Sequence, residues 1–304
     1  MSRSISPTAE IAEGVVIDAD EVYIGDAVKL LPGTVLKGES IRVDRRAELG
    51  PDVRVDCREV VIGEETMLRH RVTAAGLQTP ESRLELGRRV RVFQDTFLNP
   101  SMPLTVGDES GLGGRSLIFT HAAWQSILEG YPVEFAPITI GRNVWLPWQV
   151  FVLPGVEIGD DVTVAAGSVV SRSIPGGSLA AGYPARVLKR APDYPPTPSP
   201  EEQWEIAQRV FRDLAWWLAK RGETLTISES DDVLSLGRVA VVRDGSTPVP
   251  DGAEVVAALH GRPTVADGVT WLALLDRERG GPETALAETV AEFVSRYGLR
   301  FQRL

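Results

Sequence analysis

Three histidines, His70, His121 and His260, are the side chains in this chain whose ordinary titration falls near neutral pH. His121 ends the run Ile118-Phe119-Thr120-His121, where a regular spacing of aliphatic residues stops and irregular sequence begins. An imidazole can take the proton of a hydroxyl that is otherwise a poor nucleophile, and such help contributes typically about 10²–10⁴ in rate. The plainer alternative is a histidine on a surface loop. Zinc is the other chemistry open to histidines. His260 lies in a separate C-terminal segment, and His70 and His121 have no third partner at ligand spacing, so no metal is expected. His70, within Arg69-His70-Arg71, reads as a surface or substrate-loop residue. A second concentration of chemistry is cationic: Arg186, Lys189 and Arg190, with Arg172 upstream, form a basic spot suited to phosphates or simply to solubility.

The rest of the chain must position these groups. It has 304 residues, a net charge of −10, 43% hydrophobic and 24% charged residues, enough for a core and too acidic for a diffuse nucleic-acid binder. A single cysteine, Cys57, cannot pair within the chain and favours a reducing compartment. Met1 to Glu10 has no apolar leader core, and the most apolar run, Val144 to Val156, is short and holds Pro147 and Pro154. A soluble, cytoplasmic protein without membrane or nucleic-acid partners is the expectation.

Ile140, Leu146, Val152, Ile158, Val164 and Val170 lie six residues apart, each of the last five preceded two places earlier by Val144, Val150, Val156, Val162 or Ser168. Shorter runs at the same spacing are Ile24/Leu30/Leu36, Leu86/Val92/Leu98 and Val106/Leu112/Ile118. A helix needs spacings of three and four, and a plain strand alternates by two. A hexad fits one short strand and one turn, so three hexads make a triangular coil of 18 residues with aliphatics stacked along its axis. The fold class expected is therefore mainly β: a parallel β-helix over 1–190. It is interrupted by an irregular segment from Arg69 to Arg83 and by an insertion at 121–137 that must leave the coil.

Residues 191–200 hold five prolines and read as an extended spacer. Ser199-Pro200-Glu201-Glu202 is a helix start, followed by the stripe Trp204, Ala207, Phe211, Leu214 and Leu218 and a stop at Gly222. Strand-like runs at Thr224–Ile227, Val239–Val242, Val255–Leu259 and Val269–Leu275 precede a second helix from Pro282 to Tyr297 and a last strand from Leu299 to Leu304. Residues 201–304 are expected to form a small α+β domain of unassigned role.

The phrases Ile138-Thr139-Ile140-Gly141-Arg142-Asn143-Val144-Trp145, Leu153-Pro154-Gly155-Val156-Glu157-Ile158-Gly159, Ala165-Ala166-Gly167-Ser168-Val169-Val170 and Ala181-Gly182-Tyr183-Pro184-Ala185-Arg186-Val187 resemble the hexapeptide-repeat acyltransferases. The sugar O-acetyltransferases of maltose, galactoside and nodulation type, and the xenobiotic acetyltransferases, are the nearest in pattern. The likeness covers about 86–190 well, 11–85 as degenerate hexads, and 201–304 not at all. It implies a left-handed coil, a homotrimer, and an acyl-CoA, most simply acetyl-CoA, in a groove between subunits. It assigns the general base to His121. It matches Ser171, Arg172, Arg186 and Lys189 to positions that meet CoA, with Ala166 and Gly182 letting the pantetheine arm approach.

The same resemblance puts Asp95 and Asn99 on the coil that supplies acceptor-binding groups, where a carboxylate could orient His121; a turn-capping Asp95 is an equal reading. Trp124, Glu129, Tyr131 and Glu134 could line an acceptor pocket, or the aromatics could pin the loop to a neighbouring subunit. At Pro147-Trp148 the family usually has Gly and a small residue, so Trp148 would reshape the pantetheine channel; Ala122 stands where relatives often carry a polar residue. The function expected is CoA-dependent acyl transfer to a hydroxyl, less readily an amine, of a sugar or small metabolite. The rival readings are a non-catalytic β-helix scaffold and a metal-dependent enzyme of β-helical carbonic-anhydrase type.

Overall fold

A computed structural model describes residues 2–223 and 225–303; the first residue of the expected strand Thr224–Ile227 and the last of Leu299–Leu304 fall outside them. The chain divides into two compact units, 1–196 and 197–304.

The first unit is a parallel β-solenoid with three faces. Face one stacks Ser2–Ile5, the later halves of Val16–Ile24 and Val35–Val43, then Glu59–Ile62, Arg83–Leu86, Leu104–Val106, Ile138–Ile140 and Glu157–Ile158. Face two stacks the earlier halves of the same long strands, then Arg54–Asp56, Thr73–Ala75, Phe97–Asn99, Leu117–Phe119, Phe151–Val152 and Val169–Val170. Face three runs from Glu10–Ile11 through Arg91–Val92, Gly111–Leu112 and Trp145–Leu146 to Ser178–Gly182, closed by the antiparallel strand Ala185–Arg190. The hexad aliphatics form the core: Ile140, Leu146, Val152, Ile158, Val164 and Val170 are at most 2% exposed, and the small column Val144 to Ser168 is buried beside them.

Coil length departs from the expected 18. Face three pairs Glu10, Lys29, Glu48 and Met67 in turn, 19 residues apart; the next coils take 24 (Met67 to Arg91), 20 (to Gly111), 34 (to Trp145) and only then 18 (to Thr163). The extra residues enter at the corner between faces two and one. There the early strands Val16–Ile24 and Val35–Val43 pass straight through the bend with one residue more than a hexad. From Cys57 onward that corner widens, to 76–82, 100–103 and finally 120–137. The other two corners stay tight and carry left-handed residues: Arg46, Glu65, Arg89, Glu109, Asn143 and Asp161 on one, Asp52, Arg71, Asp95, Arg115 and Gln149 on the other, all with φ between 53° and 64°. Each donates its backbone N–H to the coil before it, as Arg115 does to Gln94 O at 3.0 Å. The side chains alternate in charge up the column, giving pairs such as Arg71–Asp95 at 2.7 Å and Arg46–Glu65 at 3.9 Å that oppose the strain of the left-handed backbone.

These pairs set an acid limit. The Arg71 guanidinium holds the Asp95 carboxyl below its ordinary range. Burial pushes Asp108 up, but the Arg88 backbone N–H and guanidinium outweigh it, and Arg142 lowers Asp160 in the same way. A carboxyl lowered on folding stabilises fully above its unfolded value of about 4 and loses that contribution as pH falls through the folded value. The urea midpoint is therefore expected to stay level between about pH 7 and pH 5 and to fall below about pH 4; a decline already between 7 and 5 would assign the loss to other groups.

The second unit has a seven-stranded mixed sheet in sequence order: Ile227–Glu229, Val233–Leu236, Val239–Asp244, Val255–His260, Thr270–Ala273, Glu278–Gly280 and Gln302–Arg303. Helices α1 (Pro200–Lys220) and α2 (Ala285–Ser295) bury Trp204, Phe211, Leu214, Val290 and Phe293 against one face. The capping box at Ser199 and Glu202 forms as the sequence predicts. Val233–Leu236 and Glu278–Gly280 are strands that the sequence pattern did not reveal, and α2 starts three residues later than expected, after a Thr284 cap. The proline-rich segment is not an extended rod near its start. Ala191 N–H bonds Gly177 O at 2.9 Å and Tyr194 N–H bonds Arg190 O at 3.1 Å, so residues 191–195 turn back and these two donors are satisfied.

Candidate active site

His121 stands at the widened corner, on the first residue of a hairpin that leaves the coil: His121–Ala122 pairs antiparallel with Glu134–Phe135. Its ring stacks on Phe135, centroids 5.4 Å apart and planes 21° from parallel. Thr120 ties the base of the hairpin to the coil below, its hydroxyl donating to Asn99 O at 2.7 Å and accepting from Met102 N–H at 2.9 Å.

The ring's protonation follows from its neighbours. Nδ1 lies 3.1 Å from Asn99 Oδ1 and 3.3 Å from Ser101 Oγ. The same Asn99 atom accepts the Ser101 backbone N–H at 3.2 Å and the Ser101 hydroxyl at 2.7 Å. A backbone N–H can only donate, so the Asn99 atom facing His121 is the carbonyl oxygen, and Nδ1 must carry the proton. Nε2 keeps its lone pair and makes no hydrogen bond among the described residues. That is the protonation state of a general base.

Asn99 is thus 4% exposed and turned toward the imidazole, instead of standing open as an acceptor-binding group. Asp95 sits on a different corner, at φ 59°, in a two-pronged ion pair with Arg71, and the residues that orient His121 are Asn99 and Ser101. The loop residues do not enclose a pocket within one chain: Trp124 is 94% exposed, and Glu129 and Tyr131 are also exposed. Glu134 is exposed on the returning strand.

Asp95 belongs to a cleft of about 350 Å³ with Gln94, Gly114, Arg115, Trp148 and Gln149. Trp148 lies edge-on to Phe93 at 5.1 Å and over Gly114, where a Cβ would come within 3.2 Å of its ring. Trp145 is also edge-on to Phe93, at 5.9 Å. The indole of Trp148 is therefore fixed across the corner, 44% exposed. Face two separates this cleft from His121, and its outer surface carries a ladder of Phe97, Phe119 and Phe151 with centroids 5.4 and 5.6 Å apart.

Ser171 and Arg172 are exposed on the corner after Val169–Val170, while Arg186 and Lys189 are exposed on the closing strand of face three. Among the described residues none of Arg172, Arg186, Lys189 and Arg190 has a carboxylate partner, although most arginines of the solenoid do. Ala166 is exposed at the corner above Trp148, and Gly182 has φ 110° with its N–H on Ser168 Oγ at 3.1 Å. Among the described residues no cluster of three or more potential metal ligands occurs, and no helix is long and apolar enough to cross a membrane.

A parallel β-solenoid with an imidazole at a looped corner is the class of protein this fold and site define. Residues 137–172 match the family described as bacterial transferase hexapeptide (six repeats). The chain is similar to galactoside O-acetyltransferase of Escherichia coli (strain K12), 49% identical over 114 residues that make up 37% of this chain and 56% of the relative. The match thus spans little more than half of that protein. Among solved structures, similarity extends to the hexapeptide-repeat-containing acetyltransferase VCA0836 of Vibrio cholerae (22% identity, 48% of this chain and 70% of the other, TM-score 0.34). It extends also to a maltose O-acetyltransferase of Clostridium difficile 630 (22% identity, 57% and 70%, TM-score 0.26). Part of the solenoid thus matches a hexapeptide-repeat family and is similar in sequence to an acetyltransferase.

Proposed function

We propose that this chain is an acetyltransferase that moves an acetyl group from acetyl-CoA to a hydroxyl of a sugar or other small metabolite, working as a homotrimer. The observation that carries the reading is the imidazole of His121 with its proton fixed on Nδ1 and its Nε2 bare. In the reaction Nε2 takes the acceptor's hydroxyl proton as the oxygen bonds to the thioester carbonyl carbon. The C–S bond then breaks, and the thiolate of CoA leaves with the electron pair. The unpaired cations Arg172, Arg186 and Lys189 suit the phosphates of CoA. The exposed Trp124, Ile127 and Leu128 at the hairpin tip, and the phenylalanine ladder on face two, are apolar surfaces that subunit contact would cover. A trimer also supplies a second corner to each active site: the His121 corner of one copy would face the Trp148 cleft of the next.

Light scattering and a thermal-shift titration test this together. Acetyl-CoA at about a hundred times its Kd is expected to stabilise the protein by about 2.7 kcal/mol. Thiol release should then require an acceptor from a panel of sugars, other alcohols and amines. A trimer that neither binds acetyl-CoA nor releases thiol would favour the scaffold reading, and release with amines alone would move the acceptor class.

A further inference from the structure

We infer that the inserted segment 76–80 is a positioning clamp that fixes which nitrogen of His121 bears the proton. The inference rests on the reading of His121 as the base. The coil from Met67 to Arg91 is five residues longer than the 19-residue coils before it, and this corner is one of the places where the chain widens. The added chain lies directly on the pair that holds the imidazole. Gly76 passes so close that a Cβ there would stand 2.6 Å from both Asn99 Oδ1 and Ser101 Oγ. Leu77 N–H donates to Ser101 Oγ at 2.8 Å, and the Thr79 hydroxyl donates to Ser101 O at 2.5 Å.

The direction of these bonds matters more than their number. The Leu77 N–H can only donate, so it occupies an acceptor side of the Ser101 oxygen and turns the hydroxyl proton toward Asn99 Oδ1. Asn99, held by the Ser101 backbone N–H, presents its acceptor to Nδ1, and the Leu77 bond leaves Ser101 presenting a lone pair beside it. Without the Leu77 donor, the Ser101 hydroxyl is free to rotate its proton onto Nδ1 at 3.3 Å, which selects the tautomer protonated on Nε2. That tautomer cannot accept a proton from the acceptor hydroxyl. Asn99 and Ser101 are buried beneath the segment, whereas Gly76, Leu77 and Gln78 are themselves exposed, so the clamp acts from the solvent side of the pair.

Gly76→Ala tests the clamp, because its backbone is outside the left-handed region and the atoms nearest the new methyl are the Asn99 and Ser101 side-chain ends. Long-range ¹⁵N–¹H NMR of ¹⁵N-histidine-labelled full-length protein should show His121 with a bare Nε2 in the native sequence, and a rise of the other tautomer in Gly76→Ala. Turnover with acetyl-CoA should fall on the order of tenfold at unchanged KM, the worth of one misdirected hydrogen bond. Leu77→Pro removes the N–H itself and should give the same spectral change, so it carries the test if Gly76→Ala does not fold. A native tautomer in either folded variant overturns the clamp. A bare Nε2 that shifts as expected in a protein with no transferase activity upholds the clamp and sinks the acetyl-transfer reading.

Discussion

His121→Ala is expected to lower acetyl-transfer turnover by about 10²–10⁴ while the circular dichroism spectrum and melting temperature stay close to native. The ring is half-buried on the first residue of a hairpin outside the solenoid column, and its packing contact is a single stacked Phe135. Removing it leaves the coil aliphatics untouched. What disappears is the acceptor of the hydroxyl proton, and no other described side chain with ordinary titration near neutrality shares that corner; His70 is on the corner of Asp95. Asn99→Ala should fall between native and His121→Ala, since it keeps the imidazole but frees it to turn and to change tautomer. Steady-state thiol release at saturating acetyl-CoA measures both. Turnover unchanged in His121→Ala would remove this residue as the base and return the cleft at Trp148 as the place to look.

The solenoid was legible because its rule is simple and repeated. Each aliphatic at six-residue spacing reports one strand, and the interruptions report where the chain leaves that rule: 121–137 nearly as expected, but 69–83 too widely, because Thr73–Ala75 stays on face two and only 76–82 departs. His121 was legible for the same reason, as the residue on which the rule stops. Its partners were less so. Asn99 stood in the sequence as a polar group without a direction, and Ser101 carried no signal, because both need the coil length. Once Leu98 pairs with Ile118, 20 residues on, Ser101 falls one coil below His121. The expected 18-residue coil would have put another residue there. The cleft was hidden more deeply. Its lining comes from corners of three coils, the middle one contributing Gly114 beside Arg115, and nothing in a linear pattern marks a missing side chain as part of a space. In the second unit, Val233–Leu236 and Glu278–Gly280 are three or four residues long, too short for periodicity to register.

Function and stability meet at the seam between the coils on either side of the hairpin. Leu104–Val106 pairs with Ile138–Ile140, so the two strands joined through the whole insertion lie side by side. The register across that seam is what returns the chain to the column after 120–137. The seam is held by Gly107 N–H on Ile140 O at 2.7 Å, Asn143 N–H on Asp108 O at 2.9 Å and the buried aliphatics Val106 and Ile140. A substitution that opens it threatens both halves of the solenoid, because each coil is stabilised only by its neighbours.

Gly107→Ala is therefore expected to be among the most destabilising single-methyl changes in the protein. The backbone at Gly107 is outside the left-handed region, so alanine is conformationally allowed there. The obstacle is distance. A Cβ would lie 2.7 Å from Gly141 C and 2.8 Å from both Gly141 O and Arg142 N, all backbone atoms that cannot rotate away. Relief requires the two coils to separate by several tenths of an ångström, which lengthens the Gly107–Ile140 and Asn143–Asp108 bonds and loosens the aliphatics behind them. Overpacking of this kind costs about 1–3 kcal/mol, and each weakened hydrogen bond adds about 1 kcal/mol, for a loss of about 3 kcal/mol or more. Gly130→Ala supplies the contrast. Its φ of 85° makes alanine strained, at about 1–2 kcal/mol, but nothing lies within 4 Å and the residue is in the hairpin loop. Urea titrations of the two variants should rank Gly107→Ala well below Gly130→Ala; the reverse order would mean that the coils at this seam are farther apart than 2.7 Å contacts allow.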